Sequence, residues 1–303
     1  MRRSLSVVFA CCLFLSPAVS FAADRSFDSG GVKIHYIDEG QGEPVLLIHG
    51  FAANTEIQWV GPRIVDNLAK DYRVIALDNR GHGQSGKPHD PKQYGMQMVE
   101  DAIRLLDHLK IDKAHVIGYS MGAMITNKLI TMYPERVLTA TLGGAAGILE
   151  GADTQRFQPL IDSLEKEKSI GPLMIALTPP GKPKPTEQQI KVINQLFMAN
   201  NDAMALAAVV RSWPDLVVPE AKLKANKVPT LAIVGAIDPL KTGVDELKGR
   251  MANVQLIVID NADHMTAFRS PEFIGGVRKF LSQTAGNGKV KKSPVAVPAG
   301  PDQ

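Results

Sequence analysis

Short apolar runs alternate with longer stretches of helical periodicity along most of the chain. Residues 44–48 and 72–77 have the length of buried strands, whereas 99–109 repeats apolar positions at spacings of three and four. Strands that alternate with helices pair in parallel, with helices on both faces of the sheet. The pattern predicts an α/β fold with a mostly parallel sheet. Further predicted strands are 32–37, 114–117, 137–142, 229–234 and 254–259, and further predicted helices are 64–68, 121–132, 271–281 and one from about Val244.

The alternation stops between residues 147 and 218. This stretch contains helical pieces at 155–167, 187–198 and 203–213, with a proline-rich loop at 178–185 and no credible strand between the pieces. We interpret it as a helical lid inserted into a sheet-containing core formed by 23–146 and 219–285. Residues 286–303 are rich in Gly, Pro and Lys and are predicted to be a disordered tail.

The first 22 residues have the pattern of an export signal. Arg2 and Arg3 precede an apolar run over residues 5–15, and small residues at Ser20 and Ala22 fit the positions that a signal peptidase reads. The run is too short to cross a bilayer core of roughly 30 Å as a helix. We therefore expect cleavage after Ala22, export to the periplasm or the medium, and no stable membrane span.

Cysteine and charge narrow the chemistry. Both cysteines, Cys11 and Cys12, lie in the predicted signal, so the mature chain would have no disulfide, thiolate nucleophile or Cys-bound zinc. Lipidation at either cysteine is disfavoured by the bulky Phe9. The chain has 34 Lys and Arg, two of them in the signal, against 31 Asp and Glu, and no basic stripe, which argues against nucleic acid as a partner.

A glycine-rich loop at 81–88 resembles a phosphate-binding P-loop up to its last position. That position is Pro88, which has neither the hydroxyl that would bind Mg²⁺ nor a backbone N–H. His89-Asp90-Pro91 follows instead of a helix, so no helix N-terminus is available for a phosphate. The loop therefore predicts no nucleotide cofactor.

The strongest motif is Gly118-Tyr119-Ser120-Met121-Gly122. It lies between a predicted strand and a predicted helix, the context in which G-x-S-x-G marks a nucleophile. A strand that turns directly into a helix strains its apex residue, and the positions two residues away must be small to let the two elements close up. We predict that Ser120 is the nucleophile; the alternative is a purely structural turn.

A serine hydroxyl needs a base, and the base needs an acid that orients it. His264 follows the last predicted strand at the carboxyl edge of the sheet, where α/β sites form, and Asp238 follows the strand before it. Asp260 and Asp263 are competing acids, but Asp263 is too close in sequence to reach round the ring of His264. We predict His264 as the base and Asp238 as the acid. The other histidines are assigned to loops or structural positions: His35, His49, His82, His89, His108 and His115.

The order Ser120, Asp238, His264 is similar to that of α/β-hydrolase-fold proteins. The resemblance extends from about residue 32 to 281, and it includes His49-Gly50-Phe51 after a strand and the loop at 78–85. It implies that the backbone N–H groups of Phe51 and Met121 form an oxyanion hole. Dehalogenase and epoxide-hydrolase relatives have an aspartate where Ser120 stands, which argues against both activities.

The expected function is that of a serine hydrolase, similar to carboxylesterases and lipases, which cleaves an ester or related acyl bond without cofactor or metal. The partner expected is a small-molecule acyl substrate, and apolar residues of the predicted lid favour a hydrophobic one, although the same residues could serve only to pack the lid. Alternatives are a cofactor-free perhydrolase, a carbon–carbon bond hydrolase, or a non-catalytic ligand-binding protein of the same fold. The sequence does not indicate an oligomeric state.

The export signal gives the first testable prediction. We expect the exported protein to begin at Ala23, because a peptidase would cut after Ala22. Intact-mass measurement of protein recovered from the periplasm or medium checks this. A mature chain that still begins at Met1 would contradict it.

Overall fold

The computed structural model describes residues 25–284, and their fold is built on one eight-stranded sheet. The predicted signal at 1–22 and the predicted tail at 286–303 lie outside the described residues. The strand order is β1-β2-β4-β3-β5-β6-β9-β10. The strands are β1 (Arg25–Asp28), β2 (Lys33–Glu39), β3 (Glu43–Ile48), β4 (Tyr72–Leu77), β5 (Ala114–Tyr119), β6 (Val137–Gly143), β9 (Thr230–Gly235) and β10 (Val254–Ile259).

The sheet is mostly parallel, as the alternation of strands and helices predicts. The six strands β4, β3, β5, β6, β9 and β10, in their order across the sheet, pair in parallel. Strand β2 pairs antiparallel with both β1 and β4. Strand β1 is an edge strand that the hydrophobic pattern alone did not indicate. Its four residues contain a single buried apolar side chain, Phe27.

Helices cover both faces of the sheet, and each strand supplies side chains to both. In β3, Val45 and Leu47 pack on one face while Leu46 and Ile48 pack on the other. Helices α1 (Ile64–Leu68) and α11 (Pro271–Thr284) cover the first face. The second face is covered by α2 (Met96–His108), α3 (Met121–Met132), α9 (Lys241–Asp245) and α10 (Leu247–Arg250). The continuous apolar runs of the inner strands follow from burial on both sides.

The segment between β6 and β9 is helical, as predicted. Its helices are α4 (Gln158–Glu167), α5 (Gly171–Ala176), α6 (Glu187–Met198), α7 (Ala203–Ser212) and α8 (Glu220–Ala225). Two short parallel strands, β7 (Ile148–Leu149) and β8 (Val217–Val218), pair near the two ends of the segment and close it into a loop. Buried side chains of α4 and α7, such as Leu164 and Leu206, join the same hydrophobic core as the second face of the sheet.

A buried ion pair ties the β4 loop to α2. The guanidinium of Arg80 donates to both carboxylate oxygens of Asp101, at 2.6 Å each, and both side chains are about 1% exposed. Ser29 donates a further hydrogen bond to Asp101, and Arg80 also donates to the carbonyls of Ser29 and Gln93. The pair therefore fastens the chain near β1, the β4 loop and α2 together. Within residues 25–284, no helix is long and apolar enough to cross a membrane.

We expect Asp101→Asn to lower the free energy of unfolding by about 3 kcal/mol, because the charge of Arg80 would stay buried without its counter-charge. Asp107→Asn is the matched control, since Asp107 pairs with Arg136 at the surface with its side chain 61% exposed. The control should cost no more than about 1 kcal/mol. Urea unfolding of the three proteins measures both values, and equal losses in the two variants would contradict the expectation.

Candidate active site

Ser120 is the single residue between strand β5 and helix α3. Its backbone lies at φ 55° and ψ −116°, a strained conformation for a residue with a side chain. Its N–H donates to the Gly143 carbonyl of β6 at 2.8 Å, and its own carbonyl accepts from Ala123 at the start of α3. The turn is therefore held from both sides, and the partly exposed hydroxyl is carried at the carboxyl edge of the sheet.

The two motif glycines are required by close backbone approach. A Cβ on Gly118 would lie 2.1 Å from the carbonyl oxygen of Gly122, and a Cβ on Gly122 would lie 1.9 Å from that of Ile48 in β3. Neither contact is possible for a real side chain. The spacing of the motif thus reflects how tightly α3 packs back over β5 and β3.

The structure brings the three predicted side chains together in one hydrogen-bonded row. His264 Nδ1 lies 2.8 Å from Asp238 Oδ2, and its Nε2 lies 2.9 Å from Ser120 Oγ. A carboxylate oxygen accepts, so Nδ1 carries the proton and Nε2 is left to accept from the serine hydroxyl. Both Asp238 and His264 are 3% exposed. This is the arrangement that a serine nucleophile and its base require.

Asp238 and His264 are each held in place by a further hydrogen bond. Asp238 follows β9 and accepts the N–H of Leu240 on its other carboxylate oxygen at 2.8 Å. The hydroxyl of Tyr119 donates to the carbonyl of His264 at 2.7 Å, and the two rings lie 5.5 Å apart. Burial, together with the charges of Asp238 and Asp263, raises the pKa of Tyr119 well above its usual value, so the hydroxyl remains a donor. Sequence reasoning assigned no role to Tyr119, although it lies inside the motif.

The two competing acids lie elsewhere. Asp260 is exposed, and Asp263 accepts the N–H groups of Met265 and Thr266 with one carboxylate oxygen. Asp263 therefore shapes the turn that carries His264 and makes no hydrogen bond to its ring in the described structure.

The loop after β3, which carries Phe51, passes directly against Ser120. A Cβ on Gly50 would lie 3.2 Å from the Cβ of Ser120, and the Gly50 N–H donates to the Gln58 side chain at 3.0 Å. Gln58 belongs to a π-helical turn, Glu56–Val60, a rare conformation that is frequent at functional sites. Met121, the other predicted oxyanion donor, is the first residue of α3, so its N–H has no acceptor within the helix.

Asp78 anchors this loop to the rest of the sheet edge. It accepts the N–H of Thr55 on one oxygen and, on the other, the N–H of Gln84 and a hydrogen bond from His35. Burial alone would raise the pKa of Asp78, but the His35 hydrogen bond, nearby His49 and the two N–H groups outweigh it and hold the pKa well below its usual range. The loop at 78–85 is therefore a structural brace for the site.

Two other histidines lie under the Phe51 loop. His49 donates to the Gly50 carbonyl and accepts the N–H of Asn79, and the ring of His82 packs 5.2 Å from it. Burial lowers the pKa of both rings. For His82, burial together with the neighbouring His49 lowers the pKa to about 3. Both rings are therefore neutral near pH 7. The remaining histidines have structural partners or lie at the surface: His35 with Asp78, His89 with Asp202, His108 stacked on Phe27, and His115 with Glu43 and Thr139.

A row of aromatic rings connects the Phe51 loop to the inserted segment. Phe51 meets Trp213 edge-on at 5.3 Å, and Trp213 meets Phe157 at 4.8 Å. Asn201, just before α7, donates to the Ala52 carbonyl at 3.3 Å. Side chains of the inserted segment thus contact the loop next to Ser120. In the described part of the chain, no group of three or more His, Cys, Asp or Glu side chains is placed to hold a metal ion.

Comparison with known proteins agrees with this fold. A family model described as alpha/beta hydrolase fold matches residues 43–167. The chain is 29% identical to 2-hydroxymuconate semialdehyde hydrolase of Pseudomonas sp. (strain CF600) over 286 residues, 88% of this chain and 97% of that protein. It is also 29% identical to 3-oxoadipate enol-lactonase 2 of Acinetobacter baylyi over 217 residues, 71% of this chain and 79% of the relative.

A crystal structure of a hydrolase from Pseudomonas aeruginosa superposes with a TM-score of 0.72 at 23% identity, covering 85% of this chain and 98% of that one. The chain therefore has the α/β-hydrolase fold, as the residues around Ser120 indicated. The two relatives are both named for hydrolytic reactions, and together with the fold they support a hydrolase.

The buried neutral His82 predicts a pH dependence of stability. Its folded pKa lies below its unfolded value of about 6.5, so the unfolded chain binds the extra proton and stability falls as pH drops from about 6.5 towards 3. We expect His82→Phe to reduce the slope of unfolding free energy against pH by up to about 1.4 kcal/mol per unit between pH 5 and 6. His49, shifted in the same direction, should keep part of the slope. Urea unfolding at several pH values tests this, and an unchanged slope would count against a neutral buried His82.

Proposed function

We propose that the protein is a serine hydrolase that cleaves an ester, or a related acyl bond, through an acyl-enzyme intermediate. The observation that carries this proposal is the row Asp238–His264–Ser120, with hydrogen-bond distances of 2.8 and 2.9 Å. Nucleophile, base and orienting acid are then in contact before substrate arrives, which is the general requirement for activating a serine hydroxyl.

In the first half of the reaction Ser120 Oγ attacks the acyl carbonyl and passes its proton to His264 Nε2. Asp238 stabilises the imidazolium that forms, because its carboxylate already holds Nδ1. The carbon–oxygen bond to the leaving alcohol then breaks, and the alcohol takes the proton back from His264. The acyl group is left as an ester of Ser120.

The second half of the reaction releases the acyl group. His264 takes a proton from water, which attacks the acyl carbonyl, and the proton returns to Ser120 Oγ as the acid leaves. In both halves we assign the developing oxyanion to the N–H groups of Phe51 and Met121. Support comes from the loop backbone at Gly50, close against Ser120, and from the position of Met121 at the start of α3. Such a donor contributes roughly 3 kcal/mol to stabilising the transition state.

The apolar side chains packed around the Phe51 loop favour an apolar acyl substrate. Phe51, Trp213 and Phe157 form the aromatic row, and the half-buried Leu173, Met174, Phe197 and Met198 of the inserted segment pack with the same core. We propose that the inserted segment acts as a lid over Ser120 and the Phe51 loop. Its contacts with the loop at Phe51 and Ala52 support that role.

A second candidate is hydrolysis of a carbon–carbon bond beside a carbonyl group, on the same three side chains. The similarity to 2-hydroxymuconate semialdehyde hydrolase, which extends over 97% of that protein, favours it. The similarity to an enol-lactonase fits the ester proposal, because a lactone is an ester closed into a ring. The two reactions differ in the bond that breaks and share the need for an activated Ser120.

We expect Ser120→Ala to lower kcat/KM for p-nitrophenyl esters by at least about a thousandfold, because the nucleophile is lost while the fold is kept. Ser282→Ala is the matched control; this serine is exposed on α11 and makes only a hydrogen bond to its own helix. A chain-length series of esters, from acetate to laurate, measures the rates and sizes the acyl pocket. Near-native activity in Ser120→Ala would refute the proposed role.

The same proteins are assayed with 2-hydroxymuconate semialdehyde, with products separated by chromatography. Cleavage of this compound without turnover of any ester would favour the second candidate, provided that Ser120→Ala abolishes it. Turnover of esters alone supports the ester hydrolase. Failure of wild type with both kinds of substrate, together with no labelling of Ser120 by a serine-directed fluorophosphonate, would contradict both proposals.

A further inference from the structure

The peptide group between Gly50 and Phe51 carries the N–H that we assign to the oxyanion hole. It lies against the nucleophile, since a Cβ on Gly50 would be 3.2 Å from the Cβ of Ser120. The peptide is trans, because residues 25–284 contain no cis peptide bond. A trans peptide is planar, so its carbonyl and its N–H point in opposite directions. A group that holds the Gly50 carbonyl therefore also sets the direction of the Phe51 N–H.

The ring of His49 holds that carbonyl. Its Nδ1 lies 2.7 Å from the Gly50 oxygen, and its Nε2 lies 2.9 Å from the backbone nitrogen of Asn79. A backbone N–H only donates, so Nε2 accepts, and the ring proton is on Nδ1 and is donated to the Gly50 carbonyl. His49 is fully buried, and burial lowers its pKa, so the ring keeps this neutral form near pH 7.

The turn that begins at Gly50 has only a weak hydrogen bond of its own. The N–H of Ala53 also points at the Gly50 carbonyl, but its nitrogen is 3.4 Å away, beyond the usual range for this kind of bond. Ala52 lies inside the turn at φ 56°, which is unfavourable for a residue with a side chain. The short hydrogen bond from His49 is therefore the stronger restraint on the orientation of this peptide.

Side chains also fix the preceding peptide group, between His49 and Gly50. The Gly50 N–H donates to the Gln58 side chain at 3.0 Å, and the His49 carbonyl accepts from the Asn79 side-chain amide at 3.1 Å. Of the four polar groups in the two peptides, the Phe51 N–H alone makes no hydrogen bond to any residue of the described chain. The surrounding backbone is thus fixed, and this one donor is left for a ligand.

We propose that His49 is the positioning residue of the oxyanion hole. By donating Nδ1–H to the Gly50 carbonyl, it keeps the Phe51 N–H directed at the oxyanion beside the nucleophile. The same hydrogen bond polarises the peptide and makes its N–H a stronger donor. Because the charge on the substrate oxygen develops only in the transition state, a misdirected N–H slows the reaction without weakening substrate binding. This inference rests on the proposed function, and it adds a residue outside the reacting row on which the rate depends.

The kinetic test uses two amide side chains, each of which replaces one half of the ring. Asn has its amide nitrogen two bonds from Cβ, as Nδ1 is, so His49→Asn can still donate to the Gly50 carbonyl. Gln has its amide one bond further out, level with Nε2, so His49→Gln can accept from Asn79 but loses that donor. We expect His49→Gln to lower kcat for p-nitrophenyl butyrate by at least about tenfold, with KM within about twofold of wild type. His49→Asn should recover at least about fivefold of that loss.

His115→Gln is the matched control. His115 is also buried, with its two ring nitrogens paired with Thr139 and Glu43. It lies in β5 five residues before Ser120, roughly 16 Å along the strand. Its substitution should leave kcat per active site unchanged, with the sites counted by fluorophosphonate labelling. A wild-type kcat in His49→Gln, or a loss in His49→Asn as large as in His49→Gln, would overturn the proposal.

The rate of labelling separates failure of this inference from failure of the proposed reaction. A fluorophosphonate reacts with Ser120 without the natural substrate, and its phosphoryl oxygen uses the same oxyanion hole. We expect labelling to slow at least about tenfold in His49→Gln, with recovery in His49→Asn. A wild type that is neither labelled nor active contradicts the proposed function itself, whereas equal labelling rates in wild type and His49→Gln contradict the role of His49 alone.

NMR of the histidine ring nitrogens in the wild type tests the inference if neither variant folds. We expect the proton of His49 on Nδ1 near neutral pH, because Nε2 accepts the Asn79 N–H. A proton on Nε2 would leave the Gly50 carbonyl without its donor, and the proposal would be wrong.

Discussion

The site depends on one steric constraint: helix α3 begins within backbone contact of strands β5 and β3. The carbonyl oxygen of Ile48 occupies the space that a Cβ on Gly122 would need, at 1.9 Å, and Gly118 is similarly closed by Gly122 itself. This closeness puts Ser120 at φ 55°, with its hydroxyl partly exposed at the sheet edge. The strain is local, and the buried apolar strands and helices on both sides of the turn hold it in place.

The groups around Ser120 are arranged by buried polar contacts rather than by a large charge. Asp78 braces the Phe51 loop through backbone N–H groups, while Tyr119 and Asp238 fix the backbone and the ring of His264. Except for the Asp78–Gln84 hydrogen bond, these contacts join residues at least 23 positions apart in sequence. Ser120, Asp238 and His264 therefore lie just beyond the ends of strands β5, β9 and β10, at the carboxyl edge where sites of α/β sheets form.

The inserted helical segment completes the surroundings of the site. Its helices share a core with the sheet domain, and Trp213 and Asn201 bear directly on the loop that carries Phe51. A change in Trp213 or Asn201 therefore alters the contacts of the loop next to Ser120. This coupling gives a physical reason why proteins with one sheet architecture can act on different substrates.

Much of the fold could be predicted from sequence because its information is local. Helices 64–68 and 121–132 and strands 72–77 and 254–259 have the predicted bounds, since apolar periodicity and flanking turn residues mark them directly. The glycine spacing around Ser120, and the positions of Asp238 and His264 after strands, selected the three side chains that the structure brings together. Sequence alone indicated which residues could meet at the carboxyl edge.

The surroundings of Ser120, Asp238 and His264, in contrast, depend on the tertiary structure. The edge strand β1 has too few apolar residues to be seen as a pattern, and it forms because β2 offers it an unpaired edge. Tyr119 at the back of His264 and Gln58 on the Gly50 N–H carry no spacing signal in the chain. The Tyr119–His264 hydrogen bond, for example, joins residues 145 positions apart in sequence, and such contacts arise only when loops from several strands converge at one edge of the sheet.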